Sequence, residues 1–400
     1  MLAGNPSAKL VIRALVRGAA WLALALSSYW ALRLAWADQL SRGADLAGRE
    51  RAVRLAPASL FEARLAERRE ELGGHALPDW QRAAALDPEN PEWLMRLGLC
   101  AELAVDYTLA EKSLLAAAAR SRLYQPRYLL AQYYFRRQDA GRFWPWARAA
   151  LEVAYGDAAP VFELGWRIRP DAAWLSANAI PPRRAVRRQY LAYLIDRKRW
   201  AAADAEARKM LPATEVADVA GLLTYCEARL DRGDAQEAAE IWNALCRRRL
   251  LADEALDPDH DRLVTNGDFR HAPSGRGFDW HLVSQSGVSA AAVGGALRVG
   301  FTGGQAERCA IAWQYIVVVP GTRYRLRCEA RAAGDAPAAG IGWEVPEAGG
   351  LEGPAHAVGL VEFVADKELA RIVLIYQRPP GSARLEGTVR IAHVRLERAP

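Results

Sequence analysis

Cysteine is scarce in this chain, and its few copies form no recognisable pattern. The five cysteines, none of which falls in a Cys-x-x-Cys motif, are Cys100, Cys226, Cys246, Cys309 and Cys328. Cys309 and Cys328 flank a Pro-Gly-Thr turn at 320–322. If that turn closes a symmetric hairpin, they lie roughly 13 Å apart at the strand rise, whereas a disulfide needs Cα atoms within about 7 Å. We therefore expect isolated buried thiols and no disulfide framework.

The sequence also lacks the motifs that carry catalysis in many enzymes. It has no HExxH, GxSxG, GxxxxGK or CxxC motif and no GxGxxG that follows a strand. Its six histidines are scattered, and no two have the i, i+4 spacing of a helical ligand pair. The acids and the histidine at 257–261 are typical of a solvated loop, so we expect no metal and no cofactor. The sequence predicts no catalytic residue and no enzyme, although glycosidase carboxylates can lie far apart in sequence and remain an alternative.

Lysine is rare as well, although the chain is basic overall. Lysine and arginine together number 53 against 47 acidic residues, which gives a formal charge of +6. Only five of the 53 are lysines, and the basic residues of the helical region alternate with Asp and Glu. This interleaving is typical of a solvated surface, and no DNA-binding or RNA-binding motif accompanies it. We expect no nucleic-acid partner.

One long apolar run is present, near the N-terminus. Residues 18–37 contain a single charge, Arg33, and they follow a basic segment at 1–17. Twenty helical residues span about 30 Å, the thickness of the hydrocarbon core, and the basic flank places the N-terminus in the cytoplasm. We expect a transmembrane anchor with the rest of the chain outside the cytoplasm. A signal peptide cleaved after Ala35-Trp36-Ala37 is the alternative, and it exports the same residues.

The next two hundred residues repeat with a period of 34. Copies that start at Pro57, Pro91 and Gln125 keep one frame without insertions, and a last copy starts at Val219. With Leu94, Leu97, Gly98 and Ala110 in the second copy, the pattern resembles the tetratricopeptide repeat (TPR), in which stacked helix pairs form a groove. The resemblance implies TPR-like helical repeats over 38–256. The frame is degenerate over 159–212, where Pro160, Pro170, Pro181 and Pro182 interrupt the helices.

The resemblance to TPR proteins also implies a protein partner in the groove. By their inner-helix position, the candidate groove residues are Trp93, Tyr107, Tyr128 and Tyr133. Packing between neighbouring helices is the alternative role for these rings.

After a linker at 257–262 the helical period stops. The strand-like runs, each bounded by Gly, Pro or polar turns, are 296–301, 309–319, 323–332, 339–345, 358–365, 371–377 and 388–397. Seven short strands without intervening helices predict an antiparallel β-sandwich over 263–400. The expected fold class is therefore multidomain: a transmembrane helix, an all-α solenoid and an all-β sandwich of the jelly-roll type.

The sandwich resembles carbohydrate-binding modules of the family 4/9 type. The residues that carry the resemblance are LVTNGDF at 263–269, GFDW at 277–280, VPGTRYRLR at 319–327 and GTVRIAHVRLE at 387–397. Modules of this type bind glycans and are not catalytic. Their last strand often carries an Asp beside a structural calcium, but Ala392 stands at that position here, and only Asp268 remains near the start.

Recognition of a sugar needs aromatic faces for the pyranose ring and planar polar groups for its hydroxyls. The candidate glycan-binding residues are Trp313, Trp343, Tyr376, Gln377, Arg378 and Glu344. Alternation along the strands also allows a core position for each Trp, and Trp280 is expected to close the sandwich.

The whole arrangement is similar to membrane-anchored repeat proteins of Gram-negative exopolysaccharide clusters. That similarity implies a single-pass inner-membrane protein with most of its chain in the periplasm. The expected function is a non-catalytic scaffold that docks a protein and can contact polysaccharide in exopolysaccharide biosynthesis or export. A glycan-processing enzyme or accessory subunit, whose sandwich targets polysaccharide, is the alternative.

Overall fold

The computed structural model describes residues 6–332, 340–352 and 359–399. The chain divides into two compact units, Met1–Pro181 and Pro182–Pro400. The boundary falls within the proline-rich stretch that interrupts the repeat frame. The predicted helical region at 38–256 is therefore shared between the two units, and each is described by itself below.

In unit 1, all the regular secondary structure of the described residues is helical. Its helices are α1 (Pro6–Arg42), α2 (Leu46–Leu55), α3 (Ser59–Glu71), α4 (Leu77–Leu86), α5 (Pro91–Leu103), α6 (Tyr107–Arg120), α7 (Tyr124–Arg136), α8 (Ala140–Val153), α9 (Ala159–Ile168) and α10 (Ala172–Trp174), which runs into a π-helical turn at Leu175–Ala179. Unit 2 begins with α11 (Arg184–Asp196), α12 (Trp200–Met210), α13 (Val216–Leu230) and α14 (Ala235–Arg247).

The first helix, α1, is apolar and long enough to cross a membrane over Leu15–Arg42. Trp21, Leu22 and Leu32 are 65% to 73% exposed, so this part of the helix has no protein cover. The last turns of α1 differ, because Ala37 and Ser41 are fully buried. This single N-terminal apolar helix is an anchor or a signal sequence, and it indicates an envelope location.

A recurring turn defines the helix pairs. At five of the turns within pairs, one residue has a left-handed backbone: Gly73, Val105, Gln138, Lys198 and Gly233. The next residue in each case donates its N–H to the carbonyl five positions earlier, at 2.7 to 3.0 Å. This six-to-one hydrogen bond ends the first helix and reverses the chain. The same local geometry therefore builds three pairs in unit 1 and two in unit 2.

Small residues allow the two helices of a pair to approach closely. A Cβ atom on Gly98 of α5 would lie 2.7 Å from Leu114 of α6, and Ala110 is fully buried. Close approach at glycine and alanine is what stacked helix pairs require. The helical region is thus TPR-like in the sense that the sequence predicted.

The second half of unit 2 is a sandwich of two antiparallel sheets. Its strands are β1 (His281–Leu282), β2 (Val288–Ala292), β3 (Leu297–Thr302), β4 (Arg308–Val317), β5 (Arg323–Ala332), β6 (Ile341–Glu344), β7 (Ala348–Glu352), β8 (Leu360–Ala365), β9 (Leu369–Gln377) and β10 (Glu386–Arg398). A four-stranded sheet has the order β1-β4-β9-β6, and a six-stranded sheet has the order β2-β3-β10-β5-β8-β7. The structure therefore confirms the prediction of an antiparallel β-sandwich.

One assumption from the sequence is wrong. The Pro-Gly-Thr turn at 320–322 does not close a hairpin, because β4 belongs to the four-stranded sheet and β5 to the six-stranded sheet. The turn carries the chain from one layer to the other. Cys328 consequently faces Trp343, whose indole N–H lies 3.3 Å from its sulfur, and all five cysteines are free thiols.

The sandwich core is rich in aromatic rings. Trp280 is fully buried between Phe269, at 5.4 Å, and Trp343, at 6.0 Å between ring centroids. Tyr324 and Leu326 of β5 face this core, while Arg323 and Arg327 on the same strand face solvent. This alternation is what a strand with one buried face requires.

The helices of unit 2 contact the sandwich directly. The ring of Trp242 in α14 packs edge-on against Phe278, with 5.9 Å between centroids. A Cβ atom on Gly277, whose φ is +55°, would lie 2.7 Å from the Trp242 ring. Nearby, the Arg276 guanidinium pairs with the Glu227 carboxylate of α13. The Gly-Phe-Asp-Trp segment therefore serves as the junction between the last helix pair and the sheets.

Candidate binding sites

A groove of about 600 Å³ lies between successive helix pairs of unit 1. Tyr107 and Leu115 lie on the side formed by α6. Tyr133 and Tyr134, at the end of α7, complete the aromatic lining, and the Tyr133 hydroxyl donates to the Tyr107 carbonyl at 3.0 Å. Two of the four groove residues predicted from the sequence, Tyr107 and Tyr133, are thus brought together at one site.

The charges of this groove do not cancel. Arg142 pairs with Glu111 at 2.5 Å and with Asp139 at 2.7 Å. Lys112 and Arg137 also line the groove, and no described carboxylate forms an ion pair with either of them. The Arg137 guanidinium instead lies 3.7 Å from the centroid of the Tyr107 ring, which is the geometry of a cation–π contact. The groove therefore carries an excess of positive charge.

Burial also suppresses ionisation inside the groove. Desolvation, and then the hydrogen bond that the Tyr134 hydroxyl donates to Glu111 at 2.8 Å, raise the pKa of Tyr134 to about 12. The phenol stays neutral near pH 7 and remains a hydrogen-bond donor.

The other two predicted groove residues lie elsewhere in unit 1. Trp93 packs against Trp80, with 6.1 Å between ring centroids. Tyr128 stacks on Tyr124 at 5.3 Å and an interplanar angle of 18°. Neither lines the groove of Tyr107 and Tyr133, and a partner at these two rings stays a prediction.

Sequence reasoning missed the charged residues of the groove. Lys112 and Arg137 lie in stretches that resemble an ordinary solvated helix face, so their charge alone indicated nothing. A usable signal was the spacing, because Tyr107, Glu111 and Leu115 recur every four residues and so share one face of α6. Tyr133, near the end of α7, and Arg137, the C-cap residue of that helix, have the same spacing.

The outer face of the four-stranded sheet gathers some of the predicted glycan residues. Cross-strand pairing places His281, Trp313, Val373 and Glu344 in one row over β1, β4, β9 and β6. The His281 ring stacks on the Trp313 indole at 3.9 Å and 7°. Glu344 pairs with Arg308 at 2.5 Å. Trp313 and Glu344 therefore share a face, but one side of the indole already has a partner.

Two predicted glycan residues need correction. Trp343 is 2% exposed and Tyr376 is fully buried, and both belong to the core between the sheets. The Tyr376 hydroxyl accepts the Leu385 N–H at 3.0 Å. A ring whose faces are covered by core side chains cannot stack on a sugar, so these two residues are structural.

The remaining predicted glycan residues lie at the end of β9. Gln377 is opposite Arg308 on β4 and is half-buried. Arg378 follows it and pairs with Glu307 at 2.6 Å. A role of Trp313, Glu344, Gln377 or Arg378 in glycan binding stays a prediction.

Asp268, the acid that the sequence resemblance singled out, has basic partners in the structure. Arg395 contacts both carboxylate oxygens at 2.8 Å, and His393 lies 2.9 Å away. The hydrogen bond from Arg395 is the main reason that the pKa of Asp268 is lowered, and His393 adds to it. A guanidinium thus occupies the place of a counter-ion, so the donor set at Asp268 does not fit calcium.

A second acid and histidine cluster lies beside the junction. Asp253 follows α14, and its carboxylate is 3.2 Å from His271 Nε2. Asp279 of the Gly-Phe-Asp-Trp segment is fully buried and accepts the Ser274 and Trp280 N–H groups at 2.5 and 2.8 Å. Burial, and then the Asp279 charge, raise the pKa of Asp253 to about 6, although His271 acts in the opposite direction.

These features define a class: a TPR-like helical-repeat protein with an apolar N-terminal helix and a C-terminal antiparallel sandwich. No family model matches the chain, and no curated protein matches it.

Solved structures that are similar to the chain include the following two. A tetratricopeptide repeat protein from Parabacteroides merdae ATCC 43184 is 14% identical with a TM-score of 0.29, and the match covers 49% of this chain and 82% of that one. PilF of Pseudomonas aeruginosa is 15% identical with a TM-score of 0.25, and the match covers 56% of this chain and 90% of that one. Neither likeness bears on the function of this chain.

Proposed function

We propose that this protein is a non-catalytic scaffold of the bacterial envelope that docks a partner protein through its TPR-like repeats. The observation that supports the proposal most strongly is the groove of Tyr107, Tyr133 and Tyr134. It combines the half-buried ring of Tyr107 with two basic groups, Lys112 and Arg137, that form no ion pair within the described chain. Tyr133 and Tyr134 line it from buried positions, at 3% and 2% exposure. Stacked helix pairs commonly bind an extended segment of another protein in such a groove.

The chemistry of the groove selects the kind of segment. A peptide with carboxylates would satisfy Lys112 and Arg137, and an apolar or aromatic side chain would cover Leu115, which is 37% exposed. Complementary charge increases the association rate and selects against basic partners. The proposed occupant is therefore an acidic segment of a partner protein.

Binding to synthetic peptides tests this proposal. The full chain in detergent micelles is titrated with an acidic twelve-residue peptide, and with one in which each Glu is replaced by Lys. We expect binding of the acidic peptide alone, and its loss in the Lys112→Glu/Arg137→Glu variant. The Arg96→Glu/Arg122→Glu variant makes the same charge change outside the groove and should bind as the parent does. Equal weakening by both variants would overturn the proposal.

The location is the second part of the proposal: α1 remains as an inner-membrane anchor, and most of the chain lies in the periplasm. Support comes from the end of α1, where Arg64 of α3 donates to Asp38 at 2.7 Å and to Ser41 at 2.6 Å. The helix runs unbroken through Ala37, the predicted cleavage position, whereas proteolysis favours exposed and irregular backbone. An intact mass of membrane-extracted protein that includes residues 1–37 would support the anchor, and a mass that begins at Asp38 would overturn it.

The third part concerns polysaccharide. We propose that the outer face with Trp313, Glu344 and Gln377 contacts glycan during exopolysaccharide biosynthesis or export. The shared face of these side chains supports it, since an indole beside planar polar groups suits a sugar ring. A Trp313→Ala variant should lose retention on immobilised exopolysaccharide, while Tyr128→Ala in unit 1 should keep it. Retention that persists in Trp313→Ala would reject this part and leave the docking groove untouched.

The competing proposal is a glycan-processing enzyme or accessory subunit. On the outer face, Glu344 is its best candidate carboxylate. If the purified chain shortened the polymer and Glu344→Gln abolished that activity, the enzyme proposal would replace the scaffold. Unaltered polymer after prolonged incubation would favour the scaffold.

A further inference from the structure

The cluster of Asp253, His271 and Asp279 differs from other buried acids in this chain. Buried carboxylates elsewhere hold arginine: Asp79 pairs with Arg69 and Arg82, and Glu206 pairs with Arg187. The Asp253 side chain is 4% exposed and Asp279 is fully buried, yet no guanidinium or ammonium group of the described residues contacts either. Among the described residues, these two buried carboxylates therefore lie within 4.8 Å of one imidazole and form no ion pair with arginine or lysine.

The two ring nitrogens of His271 have different neighbours. His271 Nδ1 lies 3.2 Å from the Ala272 carbonyl oxygen and 3.4 Å from the Asn266 side-chain nitrogen. Nε2 lies 3.2 Å from Asp253 Oδ1. When the ring proton is on Nδ1, Nε2 has a lone pair that can bind a metal ion beside Asp253, whereas a proton on Nε2 would be donated to the carboxylate. A backbone carbonyl behind Nδ1 is the usual support of a metal-binding histidine.

The spacing fits a small divalent ion. Zinc bonds to imidazole nitrogen and carboxylate oxygen are about 2.0 to 2.2 Å long, so two ligands of a tetrahedral ion lie about 3.3 Å apart. The separation of Nε2 and Oδ1 is close to that value. One ligand atom from each of Asp253, His271 and Asp279 lies within 4.8 Å of the others, so small side-chain rotations would close the site.

An access route to the cluster is also present. A cavity of about 340 Å³ is lined by Asp253, Asn266 and His271, and it gives an ion a path from solvent to Asp253 and His271. The Asn266 amide nitrogen faces the cluster, 3.0 Å from the His271 carbonyl oxygen and 3.4 Å from Asp279 Oδ1.

We propose that Asp253, His271 and Asp279 form a binding site for a divalent transition-metal ion, with zinc the best fit. One imidazole and two carboxylates suit zinc better than calcium or magnesium, which prefer oxygen ligands alone. The site joins the segment after α14, through Asp253, to the first loop of the sandwich, through His271 and Asp279. Its effect is to fasten the sandwich to the last helix pair of unit 2.

The test uses the full chain in detergent micelles after removal of metals with a chelator. Titration with zinc chloride should show one ion bound per chain, and a hundredfold excess over the dissociation constant should raise the unfolding midpoint by about 5 °C or more. Asp253→Asn and His271→Gln should each weaken binding by at least about thirtyfold. Cobalt substitution should give a tetrahedral visible spectrum that both variants lose.

A matched control comes from the exposed pair of His260 and Asp257, whose side chains are 2.9 Å apart. The Asp257→Asn/His260→Gln variant should bind zinc as the parent does. Circular dichroism of each metal-free variant checks that the fold is kept. No binding at 100 μM zinc, or equal binding by parent, Asp253→Asn and His271→Gln, would overturn the proposal. A stability that depends on pH near 6 but not on zinc would show that a proton fills the site.

Discussion

The groove of unit 1 and the sheets of unit 2 treat charged side chains differently. On the six-stranded sheet, Arg325 lies directly opposite Glu362 and contacts it at 2.6 Å. In the groove, Lys112 and Arg137 have no carboxylate partner among the described residues. A strand places opposite charges about 5 Å apart in a fixed register, whereas stacked helix pairs leave space between them. The comparison teaches that paired strands can neutralise a charge within the sheet, whereas the groove leaves two charged groups for another molecule.

The largest loss of stability is expected at the junction in unit 2, where the Trp242 ring packs against Gly277. Gly277→Ala adds a methyl group against the Trp242 ring at a left-handed φ, so we expect a loss of about 3 kcal/mol of unfolding free energy. Urea denaturation followed by tryptophan fluorescence measures it. Gly381, with φ +75° and open space around it, is the matched control, and Gly381→Ala should cost about 1 kcal/mol. Equal costs would show that the packing at Trp242 is loose.

Asp218 of α13 tests how much a buried carboxylate with arginine partners stabilises unit 2. It is fully buried, and it accepts hydrogen bonds from Arg184, from Arg188 at 3.0 Å and from the Glu215 N–H at 2.9 Å. Asp218→Asn removes the charge that both arginines contact, and Arg184 keeps Glu215 at 3.6 Å. Because both arginines are about 30% exposed, solvent screening reduces the expected cost to about 2 kcal/mol.

The loss of unfolding free energy caused by Asp218→Asn should depend on pH. Burial by itself would raise the pKa of Asp218, but the Glu215 N–H and the two guanidinium groups outweigh it, and the pKa is lowered. The stabilisation is therefore complete above the unfolded pKa near 4 and is lost as pH falls through the folded value. Chemical denaturation from pH 7 to 2 should show the parent and Asp218→Asn converging in acid. Asp196, whose side chain is 76% exposed, is the control, and Asp196→Asn should change stability little at any pH.

The same comparison can be made between Arg371, which forms an ion pair, and Arg137, which forms none among the described residues. Arg371 of β9 contacts Glu347 at 2.7 Å, so Arg371→Gln should cost about 1 kcal/mol. Arg137→Gln breaks no ion pair and should change the unfolding free energy by less than about 0.5 kcal/mol, while it weakens acidic-peptide binding severalfold. Thermal unfolding and peptide titration of both variants separate the two effects. A larger stability loss for Arg137→Gln would contradict the view that the groove is open.

The smallest expected effect is a gain at a turn. Val105 is 66% exposed and has a φ of +64°, a conformation that is costly for a β-branched residue. Val105→Gly should stabilise the protein by about 0.5 to 1 kcal/mol, since relief of strain exceeds the entropy that glycine adds to the unfolded chain. Gly73→Val, at the equivalent turn with open space around it, should cost a similar amount. Differential scanning calorimetry of both variants checks the opposite signs, and a loss for Val105→Gly would indicate a packing role for this valine.

Much of the fold could be predicted because it depends on local patterns. The 34-residue period found the helix pairs outside 159–212 but did not resolve the pair of α11 and α12. Alternation found the strands that carry large apolar residues, such as β5 and β10. Three strands escaped: β1 has two residues, β2 is rich in alanine, and β7 contains two adjacent glycines. Such segments have little intrinsic strand preference, so pairing with neighbours decides their conformation.

The sites were less predictable than the elements. Spacing placed Tyr107 and Tyr133 among the groove residues, but Lys112 and Arg137 acquired meaning only when their missing partners were known. The core positions of Trp343 and Tyr376 depend on which side of the four-stranded sheet faces the other layer. The strand pattern gives two faces and does not say which one is covered.

By itself, the sequence determined the order of the parts: an apolar helix, repeated helix pairs and a set of short strands, each encoded by the period of its side chains. Tertiary structure alone decided that Asp253, His271 and Asp279 meet, that the turn at 320–322 crosses between sheets, and that Trp242 rests on Gly277. The physical reason is that a period describes neighbours along the chain. Contacts between distant segments depend on how whole elements pack, and no local pattern records that.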